Sequence, residues 1–162
     1  FGDDPMKHTF LPESYSPNCV AYTGTHDNDT VQGWFHQQPG ENNTSDAEVI
    51  LREKKTALAY FKSDGSTIHW DFIRALLDSA AGATIVPTQD ILGLGSEARM
   101  NMPGRASGSW RWRLTDWTAL DRVSDQLAAL CQHTQRGHFA HRDTASSLPS
   151  GSAVPPEAIL AS

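Results

Sequence analysis

The chain has 162 residues, 38% of them hydrophobic and 20% charged, with a net charge of −6. That is the size of one domain, and the composition supports a packed core and excludes disorder of the whole chain. The negative balance excludes the basic footprint of a nucleic-acid binder and attraction to anionic membranes, and suits a neutral or cationic ligand; sugars are neutral.

Residues 1–18 are rich in Pro, Asp, Ser and Asn and read as loop. The first ten, FGDDPMKHTF, carry no basic region, apolar run or initiator Met, so they are not a signal peptide and read as the interior of a longer protein. CVAYTGT, 19–25, is short, β-branched and aromatic, and predicts a strand. Ser45 and Glu48 form a capping box, and Ala47, Ile50, Leu51, Leu58 and Phe61 then recur at helical spacing, predicting a helix over 46–62. A second helix is predicted over 66–82, with Trp70, Ile73, Leu76, Leu77 and Ala80 on one face and Gly82 as its stop.

ATIVPTQD, 83–90, predicts a second strand, with Pro87 near its end because proline removes a ladder donor. Residues 91–117 are dense in Gly, Trp, Arg and Asn and read as a long loop with a short helix near 96–100. A third helix is predicted from Thr118 to a stop at Gly137, with Leu120, Val123, Leu127 and Leu130 inward. From His138 onward Ser, Pro and Ala dominate, so 138–162 reads as a disordered tail. The two cysteines, Cys19 and Cys131, have no CxxC partner, and a reducing compartment is the default. No stretch approaches the roughly 18 apolar residues of a membrane span.

Strand, helices, strand, loop and helix make an α/β alternation, which implies a parallel sheet. Two strands do not make a stable sheet alone. A (β/α)8 TIM barrel takes roughly 200–250 residues or more. The expected architecture for 1–137 is therefore the C-terminal portion of such a barrel, with the remaining units upstream.

THDND, 25–29, is the densest polar cluster beside a strand. As a calcium loop it fails, because counting from Asp27 the fifth, sixth and twelfth positions are Val31, Gln32 and Gln38. As a site it is well placed, since residues at the carboxyl ends of parallel strands face the ligand. A carboxylate such as Asp27 there stabilises a developing cation or clamps sugar hydroxyls, and the His26 imidazole donates to another hydroxyl. The bland alternative is that Asp27 and Asp29 cap the following turn while His26 is a satisfied, half-buried ring. Trp34, Phe35, Trp110 and Trp112 tilt the balance toward sugar, although packing is the favoured role for Trp110 and Trp112.

Other motifs are weaker. GLGSEA, 93–98, matches a dinucleotide fingerprint, but Asp90 separates it from the strand and no acid follows a second strand at the required distance. HFAH, 138–141, with His133 lacks an acid-containing framework for a metal. RMNMPG, 99–104, and GSWRWR, 108–113, offer rigid guanidinium donors, a Pro103–Gly104 turn and the Asn101 amide, which both donates to and accepts from a hydroxyl. Arg99 is as well placed to pair with acids such as Glu97.

Together LPESY, VAYTGTHDNDTVQGWF, HWDFIRALLDSAA, IVPTQDILGLGSEARMNMPG and GSWRWR resemble the 4-α-glucanotransferases (amylomaltase or disproportionating enzyme, glycoside hydrolase family 77), in family order across residues 1 to about 136. The resemblance implies a (β/α)8 barrel with inserted subdomains, of which this is a C-terminal piece whose first strand is the seventh of the barrel. It implies cleavage of an α-1,4-glucosidic bond in a maltooligosaccharide or starch chain and transfer of the glucan to the 4-hydroxyl of an acceptor, with retention. It maps Asp27 to the carboxylate that stabilises the transition state, His26 to the histidine that hydrogen-bonds the same sugar, and Asn101 to a residue near the sugar. The family's nucleophile and acid/base lie on earlier strands with no counterpart here, so this piece is expected to be inactive without the upstream part of the barrel. No metal or organic cofactor is implied, and the compartment expected is cytoplasmic. Two departures stand in the site loop: Gly108-Ser109-Trp110 where the family reads Gly-Asn-Trp, and Arg105 where it has Thr. The rival readings are an α-amylase-clan hydrolase, with water as acceptor, and a non-catalytic glucan-binding piece.

Overall fold

The structure is a computed structural model that describes residues 11–38 and 47–136. Two strands, β1 (Val20–Tyr22) and β2 (Ala83–Ile85), are joined by helices α1 (Val31–His36), α2 (Ala47–Phe61) and α3 (Ile68–Asp78). After β2 come the single-turn α4 (Thr88–Ile91), a 3-10 turn at Ser96–Ala98 and the long α5 (Thr118–His133). The strands pair in parallel, with Val20 opposite Ala83, Ala21 opposite Thr84 and Tyr22 opposite Ile85. This is the alternation expected from the sequence.

Both strands are shorter than predicted. Pro87 truncates the second run: it sits at the N-cap of α4, so TQD turns helical instead of extending β2. The long helices agree with their periodicity. Ile50 and Ala57 are the buried side of α2, whereas Ala47 and Leu51, predicted on that side, are exposed. Trp70, Ile73, Leu76 and Leu77 of α3 are buried as predicted, and Ala80 lies beyond the helix in an exposed position. The Ser45 capping box, the Gly137 stop, HFAH and the tail lie outside the described residues.

Gly82 does not stop α3. The helix ends at Ser79, whose N–H and hydroxyl both donate to the Leu76 carbonyl. Arg136 then closes the helix end, its Nε donating to the Leu77 carbonyl at 2.6 Å and its Nη2 to the Ser79 carbonyl at 2.5 Å. A cation on the last carbonyls satisfies acceptors the helix leaves open and opposes its dipole. Gly82 serves a different need. Its N–H donates to the Cys19 carbonyl at 3.0 Å, and a Cβ there would run into the Pro17 carbonyl oxygen. Glycine lets the chain entering β2 lie against the chain entering β1.

The sheet has one dressed face and one bare face. On the first, Ala21 packs with Leu76 and Ala81, flanked by Tyr15 and Cys19. A second cluster of Trp70, Ile73 and Leu77 receives Val86 and Ile91 from the β2 side and Val123, Leu127, Leu130 and Cys131 from α5. Leu120 is part-buried but outside that cluster. On the opposite face Val20, Tyr22 and Ile85 are 49%, 45% and 51% exposed. Among the described residues, no helix is long and apolar enough to cross a membrane.

Candidate active site

The chain leaving β1 at its carboxyl end runs from Thr23 to Thr30 and enters α1 at Val31. Asn28 closes its first turn, with Oδ1 accepting from the Thr25 N–H and hydroxyl at 2.8 and 2.9 Å. Thr30 is the N-cap of α1, its buried Oγ1 accepting from the Gly33 N–H at 2.9 Å. Between these fixed points His26 and Asp27 project outward, with side chains 55% and 50% exposed and His26 Nε2 3.4 Å from Asp27 Oδ1.

The RMN segment beyond β2 comes to meet them. Asn101 donates its Nδ2–H to Asp27 Oδ1 at 2.5 Å, and its backbone N–H to the His26 carbonyl at 3.0 Å. Arg99 donates from Nη2 to the Asp27 carbonyl at 2.7 Å and from Nε to the Asn101 carbonyl at 2.8 Å. All three sequence-predicted site residues, His26, Asp27 and Asn101, therefore meet at one place. Arg99 does not pair with Glu97, whose carboxylate accepts the Gly95 N–H instead.

Trp110 corrects an expectation. Its ring centroid is 5.1 Å from that of His26, tilted by 35°, and the residue is 51% exposed rather than packed. Its φ of +65° is unusual for a bulky residue, and its N–H donates to the Met100 carbonyl at 2.6 Å. Trp34 and Phe35 do not reach this place. Trp34 packs edge-on against Phe72 of α3, with ring centroids 5.7 Å apart. Of the four aromatics singled out from sequence, Trp110 stands beside the His26–Asp27 pair.

A cleft of about 540 Å³ opens between the two strand ends, with His26, Trp110, Met100 and Pro87 in its walls. Its floor includes Asp90, a carboxylate that sequence reasoning passed over. Asp90 is 2% exposed. Oδ1 accepts the Val31 N–H at 2.8 Å and Oδ2 the Thr23 hydroxyl at 2.5 Å. Burial pushes its carboxyl up from the ordinary range, against the pull of those two donors and of His69. The signal in sequence was an acid three residues after a strand-terminating proline, at the same end of the sheet as THDND.

Asp29 also departs from expectation. It reaches its own turn only through the adjacent Thr30 N–H, at 2.8 Å. Its other oxygen accepts the Ser96 hydroxyl at 2.7 Å, and Arg99 Nη1 lies 4.0 Å away. GLGSEA makes no nucleotide site: only a three-residue 3-10 turn, Ser96–Ala98, follows its glycines, and Gly93, at φ +63°, lies where a Cβ would strike the His69 ring. Among the described residues, no group of three or more His, Cys, Asp or Glu is arranged to hold a metal ion.

The exposed Asp27 carboxylate, His26 imidazole and Trp110 indole, with the part-buried Asn101 amide, are the donor, acceptor and stacking groups that a sugar ring demands, and His26 and Trp110 line the adjoining cleft. Comparison with known proteins agrees. Residues 1–119 match the family described as 4-alpha-glucanotransferase. The chain is 45% identical over 140 residues to a 4-alpha-glucanotransferase of Synechocystis, covering 82% of this chain and 26% of that protein. It is 40% identical over 131 residues to the 4-alpha-glucanotransferase of Clostridium butyricum, covering 80% and 25%. The amylomaltase of Streptococcus agalactiae, solved in complex with acarbose, superposes with a TM-score of 0.69 at 28% identity over 84% of this chain and 26% of that one. The chain thus spans about a quarter of the length of the relatives it matches. With the family match covering most of its length, the chain belongs to the 4-α-glucanotransferases of glycoside hydrolase family 77.

Proposed function

We propose that the full-length protein disproportionates maltooligosaccharides. It would cleave an α-1,4 bond in a donor glucan and pass the freed segment to the 4-hydroxyl of an acceptor sugar, with retention. The observation that carries this reading is the meeting of His26, Asp27 and Asn101 at one strand end, beside a cleft that His26 lines, in a member of this family.

Each residue has a role in that proposal. Asp27 presents its carboxylate half to solvent while Asn101 holds one oxygen, so its charge is aimed before the sugar arrives. A fixed anion beside the anomeric carbon favours the oxocarbenium-like transition state over the neutral ground state. His26 donates a ring N–H to a hydroxyl of the same sugar, and Trp110 offers it an apolar face. Retention takes two further carboxylates, a nucleophile and an acid/base about 5–5.5 Å apart, both supplied by the upstream part of the protein. The chemistry as proposed uses no metal or organic cofactor.

The fold reading goes with it. We place β1 and β2 as adjacent strands near the C-terminal end of a (β/α)8 barrel. A parallel sheet is normally covered on both faces, and here Val20, Tyr22 and Ile85 are bare on the side away from α3. In a barrel that side is the packed interior. A cavity of about 810 Å³ beside β1, walled by Tyr15, Tyr22 and Trp34, is where a preceding strand would lie. Cys19 and Cys131 are free thiols, which suits a reducing compartment such as the cytoplasm.

Incubating the full-length protein with maltotriose tests the reading. Glucose together with oligomers longer than the substrate is the expected result. Glucose and maltose alone would instead mean that water is the acceptor, the hydrolase outcome. Binding without any change in size distribution would leave only a glucan-binding protein.

A further inference from the structure

Two carboxylates that line the cleft at the strand ends, Asp90 and Asp29, each cross into the other strand's loop. Asp90 follows β2, yet it accepts from Thr23 and Val31, the two ends of the segment that leaves β1. Asp29 belongs to that segment, yet it accepts from Ser96 in the turn that follows β2. We infer that Asp90 and Asp29 are positioning residues: a reciprocal brace between the two strand-end loops that sets the placement of His26 and Asp27. The inference rests on the transferase reading above.

The brace answers a need the packing does not. His26 and Asp27 are half-exposed, in a segment without helix or strand, so no core holds them. Their placement comes from polar ties. Asp90 grips both ends of the segment, which makes its span a closed loop rather than a tether. Arg99 relays the Asp29 arm to the site: one nitrogen lies 4.0 Å from Asp29 Oδ2, a second donates to the Asp27 carbonyl and a third to the Asn101 carbonyl. A glycine makes room for it. A Cβ at Gly33 of α1 would come within 2.5 Å of both Asp29 Oδ1 and Ser96 Oγ. Burying a carboxylate is costly unless donors are aimed at it, and Asp90 has one such donor on each oxygen, from opposite ends of one loop.

The full-length protein tests this with two readouts. Hydrogen exchange over residues 24–31 reports the loop directly, and kcat against KM on maltotriose reports the site. In Asp90→Ala, amides of 24–31 should exchange about tenfold faster while those of α3 keep their native rate. The value of kcat should fall about a hundredfold with KM nearly unchanged, because misplaced groups lose the transition state rather than the substrate. Asp90→Asn should restore both, its carbonyl taking the Val31 N–H and its amide donating to the Thr23 hydroxyl. Gly33→Ala should move both readouts in the same direction by displacing Asp29 from Ser96. Thr23→Val removes one arm at constant volume and gives the same comparison if Asp90→Ala does not fold. Native exchange over 24–31, or a native kcat in a variant whose loop has loosened, would overturn the brace. A substrate left intact by the unsubstituted protein counts against the transferase reading alone; the exchange comparison then still decides the brace.

Discussion

The tip and the root of one loop obey opposite rules. At the tip, His26 and Asp27 keep about half of their surface in water and touch little besides Asn101, Arg99 and Trp110. At the root, Thr30, Val31 and Asp90 are 6%, 5% and 2% exposed, and their polar groups find protein partners. A carboxylate occupies both places. Asp27 has acceptor capacity left for a ligand, whereas Asp90 spends its own on Thr23 and Val31. On the proposed reading, the difference separates groups that meet the sugar from groups that hold them in place. It also predicts that substitution at the tip changes rate alone, whereas substitution at the root also changes exchange or stability.

The largest effect belongs to the tip. Asp27→Asn keeps a carbonyl for Asn101 and removes only the charge. The rate of maltotriose disproportionation should fall by about a hundredfold to a thousandfold, with an unchanged melting temperature. A near-normal rate would erase the distinction, since Asp27 would then be one more surface acid. Steady-state rates and calorimetry on the same preparation decide it.

Thr30→Ala strikes the root. It removes the N-cap hydroxyl from Gly33 in a buried setting and should cost about 1–2 kcal/mol in urea unfolding. The rate per folded molecule should stay within about twofold, because N-cap loss is a stability effect and none of the contacts at the tip is touched. A rate loss as deep as that of Asp27→Asn would mean that the α1 N-cap, like Asp90, positions the tip.

The smallest effect is a pH dependence at the root. His69 lies between α1 and the Gly93 turn, with Nδ1 2.8 Å from Gln32 Nε2. Burial pulls its pKa below the ordinary 6.5, outweighing the attraction of Asp90 and Asp71. A depressed histidine binds fewer protons folded than unfolded between those two values. Its stabilising contribution is therefore complete above 6.5 and lost as pH falls through the folded-state value. Urea midpoints should decline with acidification over that window. In His69→Gln that component of the slope should disappear, and an identical slope would remove His69 from the account.

How much of this was legible in the sequence differs by element. Helices α2, α3 and α5 were, because an apolar stripe repeats over three or more turns and averages out single exceptions such as Leu51. His26, Asp27 and Asn101 were also legible, the first two as a polar cluster closing a strand and all three as motif positions. Asp90 was not. Its importance lies in distance along the chain, 67 residues from Thr23 and 59 from Val31, and local pattern carries no such information. Trp110 was read as packing, because indoles usually are; its positive φ and its place over His26 come from a loop whose path depends on contacts with Met100.

Gly82 gives the same lesson in small. After a helix, glycine reads as a stop, yet Ser79 ends α3 and Gly82 exists for a close approach to Pro17 and Cys19. The sequence by itself determined the alternation of strands and helices, the helix faces and the chemical groups available at one strand end. These follow from short-range periodicity and side-chain type. Only the tertiary structure decided which carboxylate faces solvent and which is buried as a tie. It also decided that one sheet face is dressed and the other bare. Exposure is a property of neighbours brought from far along the chain, and parallel pairing brings them together only after the crossover is complete.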